Sequence, residues 1–347
     1  MARTYKAAIY RGKGDIEIVE KTLPDVVGDN DVIVKNLYAT VCGADYVAYK
    51  DNGDAQMIWK DYEFGHEMVS EVVEVGKNVT DVQVGDWIFP NLGYAFHDRK
   101  RMATCGGFSE YIVLPDFRLS GDFDGFDQPS AILLDKSLGL KNLCLLEPFS
   151  VGCKAANGLR GRGTTAVIVG AGIIGMSTAL MLKYFGFEKI MMLDFSEFRL
   201  QNARDYGLLT CNPKTEDLQA KLFEAFGSRP AYGGMKCLAE CWVDAIGIQA
   251  CIDYFFQYGC HSATLSIVGV HHKPATIDAV SVCYNQQWIK GCGTGNYQWA
   301  FNTICDMIRG GVDISPLISH EFPLEKIDEA MAAHGNFDIS QKVAIKY

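Results

Sequence analysis

The chain has 347 residues, of which 48% are hydrophobic and 21% charged, with a formal net charge of -10. That length suggests two domains of roughly 100–200 residues each. The acidic balance argues against nucleic acid as a partner, because phosphate binding relies on a basic face, and no apolar run approaches the roughly 18 residues of a membrane span.

The N-terminal "MARTYKAAIYRGKGDIEIVE" alternates like a strand and lacks the apolar core of a secretory signal. The twelve cysteines are scattered without a tight framework. Together these features predict a reduced, cytoplasmic protein. Cys237, Cys241 and Cys260 read as core positions, since free cysteine packs as a small hydrophobe.

Residues 1 to about 120 carry short strand signals separated by turn residues: "KAAIY", "DIEIVE", "DVIVKNLYA", "VSEVVEVG", "GDWIFP" and "FSEYIVLP". Residues 121–150 read as loops and helix. From about 165 the pattern changes to buried strands alternating with helices: "TAVIVGAGIIG", "MSTALMLKYFGF", "KIMMLDF", "SEFRLQNARDYG", then "CWVDAIG", "QACIDYFFQYG" and "HSATLSIVGV". Such alternation predicts βαβ units on a parallel sheet. The tail holds a helix and a last strand, and the fold class is α/β.

"VGAGIIG" places Gly170, Gly172 and Gly175 in G-x-G-x-x-G spacing between a strand and a helix. Gly170 suits the tight turn, Gly172 close approach of backbone to a pyrophosphate, and Gly175 close helix packing. Asp194 stands about 20 residues on, at the end of the next strand, where a carboxylate accepts from a ribose 2′-OH and repels a 2′-phosphate. NAD is therefore expected over NADP. Arg199 nearby could accommodate a phosphate or stack on adenine.

"FGHE" raises a different question. Adjacent strand residues point to opposite faces, so a strand would keep His66 and Glu67 apart. Gly65 marks a turn, where that limit relaxes. Cys42 in "ATVCGADYVAYK" and Glu147 in "LLEPFSVG" complete a set of one thiolate, one imidazole and two carboxylates, a mixture that suits zinc. Their long separations leave convergence open.

In order and spacing, "VCGAD", "FGHE", "VGDWIFP", "GGFSEYIVLP", "LLEPFSVG", "VGAGIIG" and "EKIDEAM" resemble the zinc-dependent medium-chain dehydrogenase/reductase superfamily, on its sorbitol (polyol) dehydrogenase side. The resemblance spans nearly the whole chain. It implies a GroES-like β-rich catalytic domain (1–149 and 293–347) with an inserted Rossmann domain (150–292). It implies that Cys42, His66 and Glu67 hold zinc, with Glu147 as the second acid, and that the two acids exchange places in some relatives. It also places Ile174, Asp194, Arg199, Val268, Gly269, Val270 and Thr294 at NAD. The implied activity is reversible oxidation of a secondary hydroxyl of a polyol to a ketone. The zinc would act as Lewis acid and template, in a homodimer or homotetramer joined through an edge strand near "SVCYNQQWIKGCG".

Three departures stand out. The stretch expected to carry four close cysteines for a structural zinc, "NLGYAFHDRKRMATCGG", has only Cys105, which predicts one catalytic zinc and no structural one. The position two after Cys42 is Ala44, without the usual hydroxyl, so protons must leave by water with Glu147, Asp45 or Tyr46. "GCGTGNYQW" replaces an expected Arg and aromatic with Thr294, Gly295 and Asn296. The basic "FHDRKRM" is either a solvated loop or a phosphate contact, which keeps a galactitol- or ribitol-phosphate dehydrogenase as the alternative. A non-catalytic NAD-binding protein of the same fold is the rival from another class.

Overall fold

The structure, a computed structural model, describes residues 3–53, 56–91, 106–119, 129–292 and 297–347. The chain divides into two compact units. The first comprises Met1–Leu145, Asp313–Asn336 and Lys342–Tyr347, and the second Leu146–Val312 and Phe337–Gln341.

The first unit is mainly antiparallel sheet. β1 (Thr4–Gly12) and β2 (Asp15–Thr22) form a hairpin turned at Gly12 and Gly14, both at positive φ. Then come β3 (Val32–Thr40), helix α1 (Gly43–Lys50), β4 (Tyr62–Glu63), β5 (Met68–Val75), β6 (Trp87–Pro90), β7 (Tyr111–Leu114), β8 (Ala131–Leu133) and the short helix α2 (Leu140–Cys144). Period-2 burial explains β1, where Ala7 and Ile9 enter a cluster with Tyr5, Leu23 and Ile33. The central β3 is apolar on both faces at its start, where Val32, Ile33 and Val34 have no exposed surface.

The second unit opens with α3 (Leu146–Leu159), followed by β9 (Thr165–Val169), α4 (Ile173–Tyr184), β10 (Lys189–Leu193), α5 (Glu197–Asp205), β11 (Leu209–Cys211) and α6 (Leu218–Phe226). A hairpin, β12 (Ser228–Ala231) with β13 (Gly234–Cys237), precedes β14 (Cys241–Asp244), α7 (Gln249–Tyr258), β15 (Thr264–Ile267), α8 (Ala279–Tyr284), β16 (Trp288–Gly291) and α9 (Tyr297–Arg309). The sheet order is β11-β10-β9-β14-β15-β16, parallel throughout. This is the doubly wound Rossmann arrangement, with its reversal between β9 and β14. Val167, Met191, Trp242 and Phe255 lie in its core. Lys236 reaches back from the hairpin to the carbonyls of Phe256 (2.6 Å) and Gln257 (2.9 Å) at the end of α7. Its charge complements that helix terminus.

The chain returns to the first unit with β17 (Ile318–Phe322), α10 (Ile327–His334) and β18 (Lys342–Lys346). The larger sheet there runs β17-β18-β3-β5-β6-β8, with β7 also on β3. Residues 337–341 belong to the second unit. Ser196 Oγ donates to Phe337 O (2.7 Å), Arg199 Nε to Ser340 O (3.0 Å), and Gln341 Nε2 to Ala171 O (2.9 Å).

The dividing points therefore fall at 145/146 and 312/313, with the excursion at 337–341, where the sequence suggested 149/150 and 292/293. The shift at the far side has a physical reason: α9 packs on α3 and α4. Cys237, Cys241 and Cys260 are buried, as their apolar surroundings suggested. The stretch from 209 to 237 carries β11, α6 and a hairpin that strand and helix signals did not reveal.

Candidate metal centre and dinucleotide loop

Cys42 precedes α1 and occupies its N-cap position. Asp45, three residues on, accepts from the Cys42 amide (2.9 Å), which fixes the turn that presents the thiol. His66 and Glu67 lie between β4 and β5, outside both strands. Gly65 has φ +93, and a Cβ there would meet the Phe108 ring and backbone at 2.9 to 3.0 Å. The chain thus turns tightly at Gly65, and the two side chains escape the alternation of a strand. One ligand atom each from Cys42, His66 and Glu67 come within 4.8 Å of one another.

The surroundings of this cluster are charged and buried. Among the described residues Asp45 Oδ1 takes no hydrogen bond, and it lies 3.6 Å from His66 Nδ1, so one carboxylate faces both a ligand backbone and a ligand ring. Burial pushes the Asp45 carboxyl up to about 6, while the charge of His66 and the Cys42 amide act to lower it. Burial, then the Glu67 carboxylate, pushes the Cys42 thiol up, and His66 opposes them.

Glu67 is held from β3 and β18. Thr40 Oγ1 donates to its Oε2, and the ammonium of Lys342 lies 2.5 Å from the same oxygen. Both side chains of the Lys342–Glu67 pair are 1% exposed. Burial acts to raise the Glu67 carboxyl. The charge of Lys342, then that of His66, with hydrogen bonds from Lys342 and Thr40, outweighs it and holds the group below its ordinary value. The donor set of thiol, imidazole and carboxylate suits zinc. A cation at this point would reverse the rise in the Cys42 thiol, as a coordinated thiol is deprotonated.

Glu147 is placed differently. It lies in the first turn of α3 in the second unit and is buried. Thr294 and residues 92–105, which hold Cys105 and the basic "FHDRKRM", lie outside the described residues. Asp45, Lys342 and Thr40 are site residues that the motifs left without these roles. Asp45 carried a signal, an acid three residues after an N-cap, and Lys342 another, a lysine opening the apolar strand "KVAIK".

In the second unit, Gly170 has φ +104, and a Cβ on Gly175 would lie 1.8 Å from Gly170 O. A Cβ on Gly172 would meet only the Arg199 guanidinium, at 3.5 Å. That contrast separates a turn and a packing glycine from one that leaves backbone approachable. Gly172 is the N-cap of α4, with Ile173 and Ile174 in its first turn. The amides there have no partner within the helix, and the cradle fits a dinucleotide phosphate. Asp194 follows β10, accepting from Ala171 N (2.7 Å) and Ser196 N (2.8 Å). Arg199 lies with its guanidinium over the Phe337 ring, 4.8 Å from the centroid. Val268, Gly269 and Val270 follow β15, with the Val268 and Gly269 amides donating to Asp244 O (3.0 and 2.9 Å).

Comparison with known proteins agrees with this layout. Residues 28–120 match the alcohol dehydrogenase GroES-like domain. The chain is 26% identical to sorbitol dehydrogenase of Gallus gallus over 341 residues, covering 93% of this chain and 91% of that protein. It is 23% identical to L-threonine 3-dehydrogenase of Pectobacterium carotovorum over 340 residues, 93% of each. Its fold matches the crystal structure of 2R,3R-butanediol dehydrogenase from Bacillus subtilis with a TM-score of 0.80, at 22% identity and 99% coverage of both chains. Among the described residues no helix is long and apolar enough to cross a membrane. The domain match, the relatives and the shared architecture agree: the chain carries the alcohol dehydrogenase GroES-like domain and, over nearly its whole length, is similar to oxidoreductases of the zinc-type alcohol dehydrogenase family.

Proposed function

We propose that the protein oxidises a secondary hydroxyl of a polyol or sugar alcohol to a ketone, reversibly, with NAD and one catalytic zinc ion. The observation that carries this reading is the meeting of Cys42, His66 and Glu67 ligand atoms within 4.8 Å. A zinc ion held there supplies Lewis acidity toward a substrate oxygen, and NAD accepts the hydride. Cys42 and His66 are the firm ligands, and Asp45 orients both, one through its backbone and one through its ring. Glu67 is the third ligand candidate and Glu147 the alternative acid. Lys342 and Thr40 keep Glu67 ionised without metal. Asp194 supports NAD over NADP.

Likeness to a sorbitol dehydrogenase supports a polyol substrate, and the threonine dehydrogenase relatives make a hydroxy amino acid the comparison to run beside it. The test is turnover of free polyols, their phosphates and L-threonine with NAD, read as NADH. Turnover of polyols alone supports the reading. Preference for phosphorylated polyols supports the alternative, and preference for L-threonine overturns the substrate class. We further propose a cytoplasmic homo-oligomer joined through the edge strand β16, where Trp288 is 55% exposed. Sedimentation of the wild type against Trp288→Lys tests that interface.

A further inference from the structure

Two loops at the carboxyl edge of the second unit's sheet are tied by a side-chain pair that the motifs do not explain. β14 ends on Asp244, whose side chain has no exposed surface. Its Oδ1 accepts from Ile246 N (3.0 Å) and Gly247 N (2.7 Å), and its Oδ2 lies 2.6 Å from His271 Nε2. His271 follows the Val268–Val270 segment on the next loop, and its side chain is 17% exposed. The two loops touch at glycines: a Cβ on Gly269 would lie 2.1 Å from Gly247 N.

The pair sits beside the glycine loop. Asp244 is in register with Val169, the last residue of β9, and Ala245 N donates to Val169 O (3.0 Å). The strand order reverses here, and doubly wound sheets bind ligands outside the carboxyl ends at that reversal. Asp194, after β10, marks the ribose beside adenine. The other half of a dinucleotide crossing the reversal must then lie over the ends of β14 and β15, where His271 stands.

Chemistry fixes what the ring can offer. The ring nitrogen 2.6 Å from a carboxylate oxygen donates to it. Nδ1 is then the ring nitrogen left for a ligand, and no hydrogen bond from the described residues reaches it. We propose that His271, held by Asp244, makes a hydrogen bond through Nδ1 with a hydroxyl of the nicotinamide-side ribose. The proposal rests on the reading of the glycine loop as a dinucleotide site. His271 is a cofactor contact in it and Asp244 a positioning residue.

The test uses three probes on the full chain: AMP, which lacks the second ribose; ADP-ribose, which has it without nicotinamide; and NADH. His271→Ala should weaken ADP-ribose and NADH by roughly tenfold each, the worth of one well-placed hydrogen bond, and leave AMP unchanged. Asp244→Asn keeps an acceptor for the Ile246 and Gly247 amides and turns an amide donor toward the His271 ring, replacing a charge-assisted hydrogen bond with a weaker neutral one. It should weaken ADP-ribose and NADH less than His271→Ala does and leave AMP unchanged, where a mere loop tie would not discriminate among the probes. Unchanged ADP-ribose affinity in both variants overturns the proposal. So does equal weakening of AMP, which would show that the loops themselves had collapsed. If the wild type binds none of the three probes, the dinucleotide reading fails instead.

Discussion

The metal cluster and the glycine loop are built in opposite ways. The loop is one continuous segment, Gly170 to Gly175, whose parts act on one another across five residues. The cluster draws on positions 42, 66 and 67, and on partners at 40, 45 and 342. A contiguous site is set by backbone conformation, whereas a dispersed one depends on the buried charges that hold it. The two sites should therefore fail differently.

The largest effect is expected at the loop. Gly175→Val would place a side chain on a backbone oxygen 1.8 Å away and should cost about 3 kcal/mol or more. NADH titration should show binding lost while zinc content stays at the wild-type level. Comparable in size is Lys342→Met, which leaves Glu67 buried without its partner and should cost about 3–5 kcal/mol by urea denaturation. Adding Glu67→Gln should recover part of that, since the uncompensated charge is then gone.

Asp45→Asn should weaken zinc binding by about 10–100-fold in chelator competition, because it disturbs the orientation of two ligands at once. NADH affinity should not move. If it does, the separation between the two regions is not as sharp as their construction suggests. The smallest effect is expected from Ser196→Ala, which removes the N-cap of α5 and the bond to Phe337 O. A loss of about 1 kcal/mol in thermal stability is expected.

The same contrast explains what the sequence made legible. The α/β class, the strand-rich first half and the glycine loop all announce themselves through local periodicity and turn residues. Gly65 was legible for the same reason: a glycine before two polar residues in an apolar run marks a turn. Lys342 and Thr40 were not, because their roles depend on β18 and β3 being antiparallel neighbours, with Thr40 in register with Ala344. The β12–β13 hairpin was hidden behind Pro230, Gly233 and Gly234, whose residue types read as loop. Its turn uses Gly233 and Gly234 at positive φ, a conformation that the sequence marks only as permissive.

The central claim is that Cys42, His66 and Glu67 hold one zinc ion on which the chemistry depends. Metal analysis of the purified protein, paired with alcohol-dependent NADH formation before and after chelation, tests it directly. The account predicts one zinc per chain, its loss in His66→Ala, and activity that disappears on chelation and returns with zinc. Undiminished NADH formation by a verified metal-free preparation would contradict it.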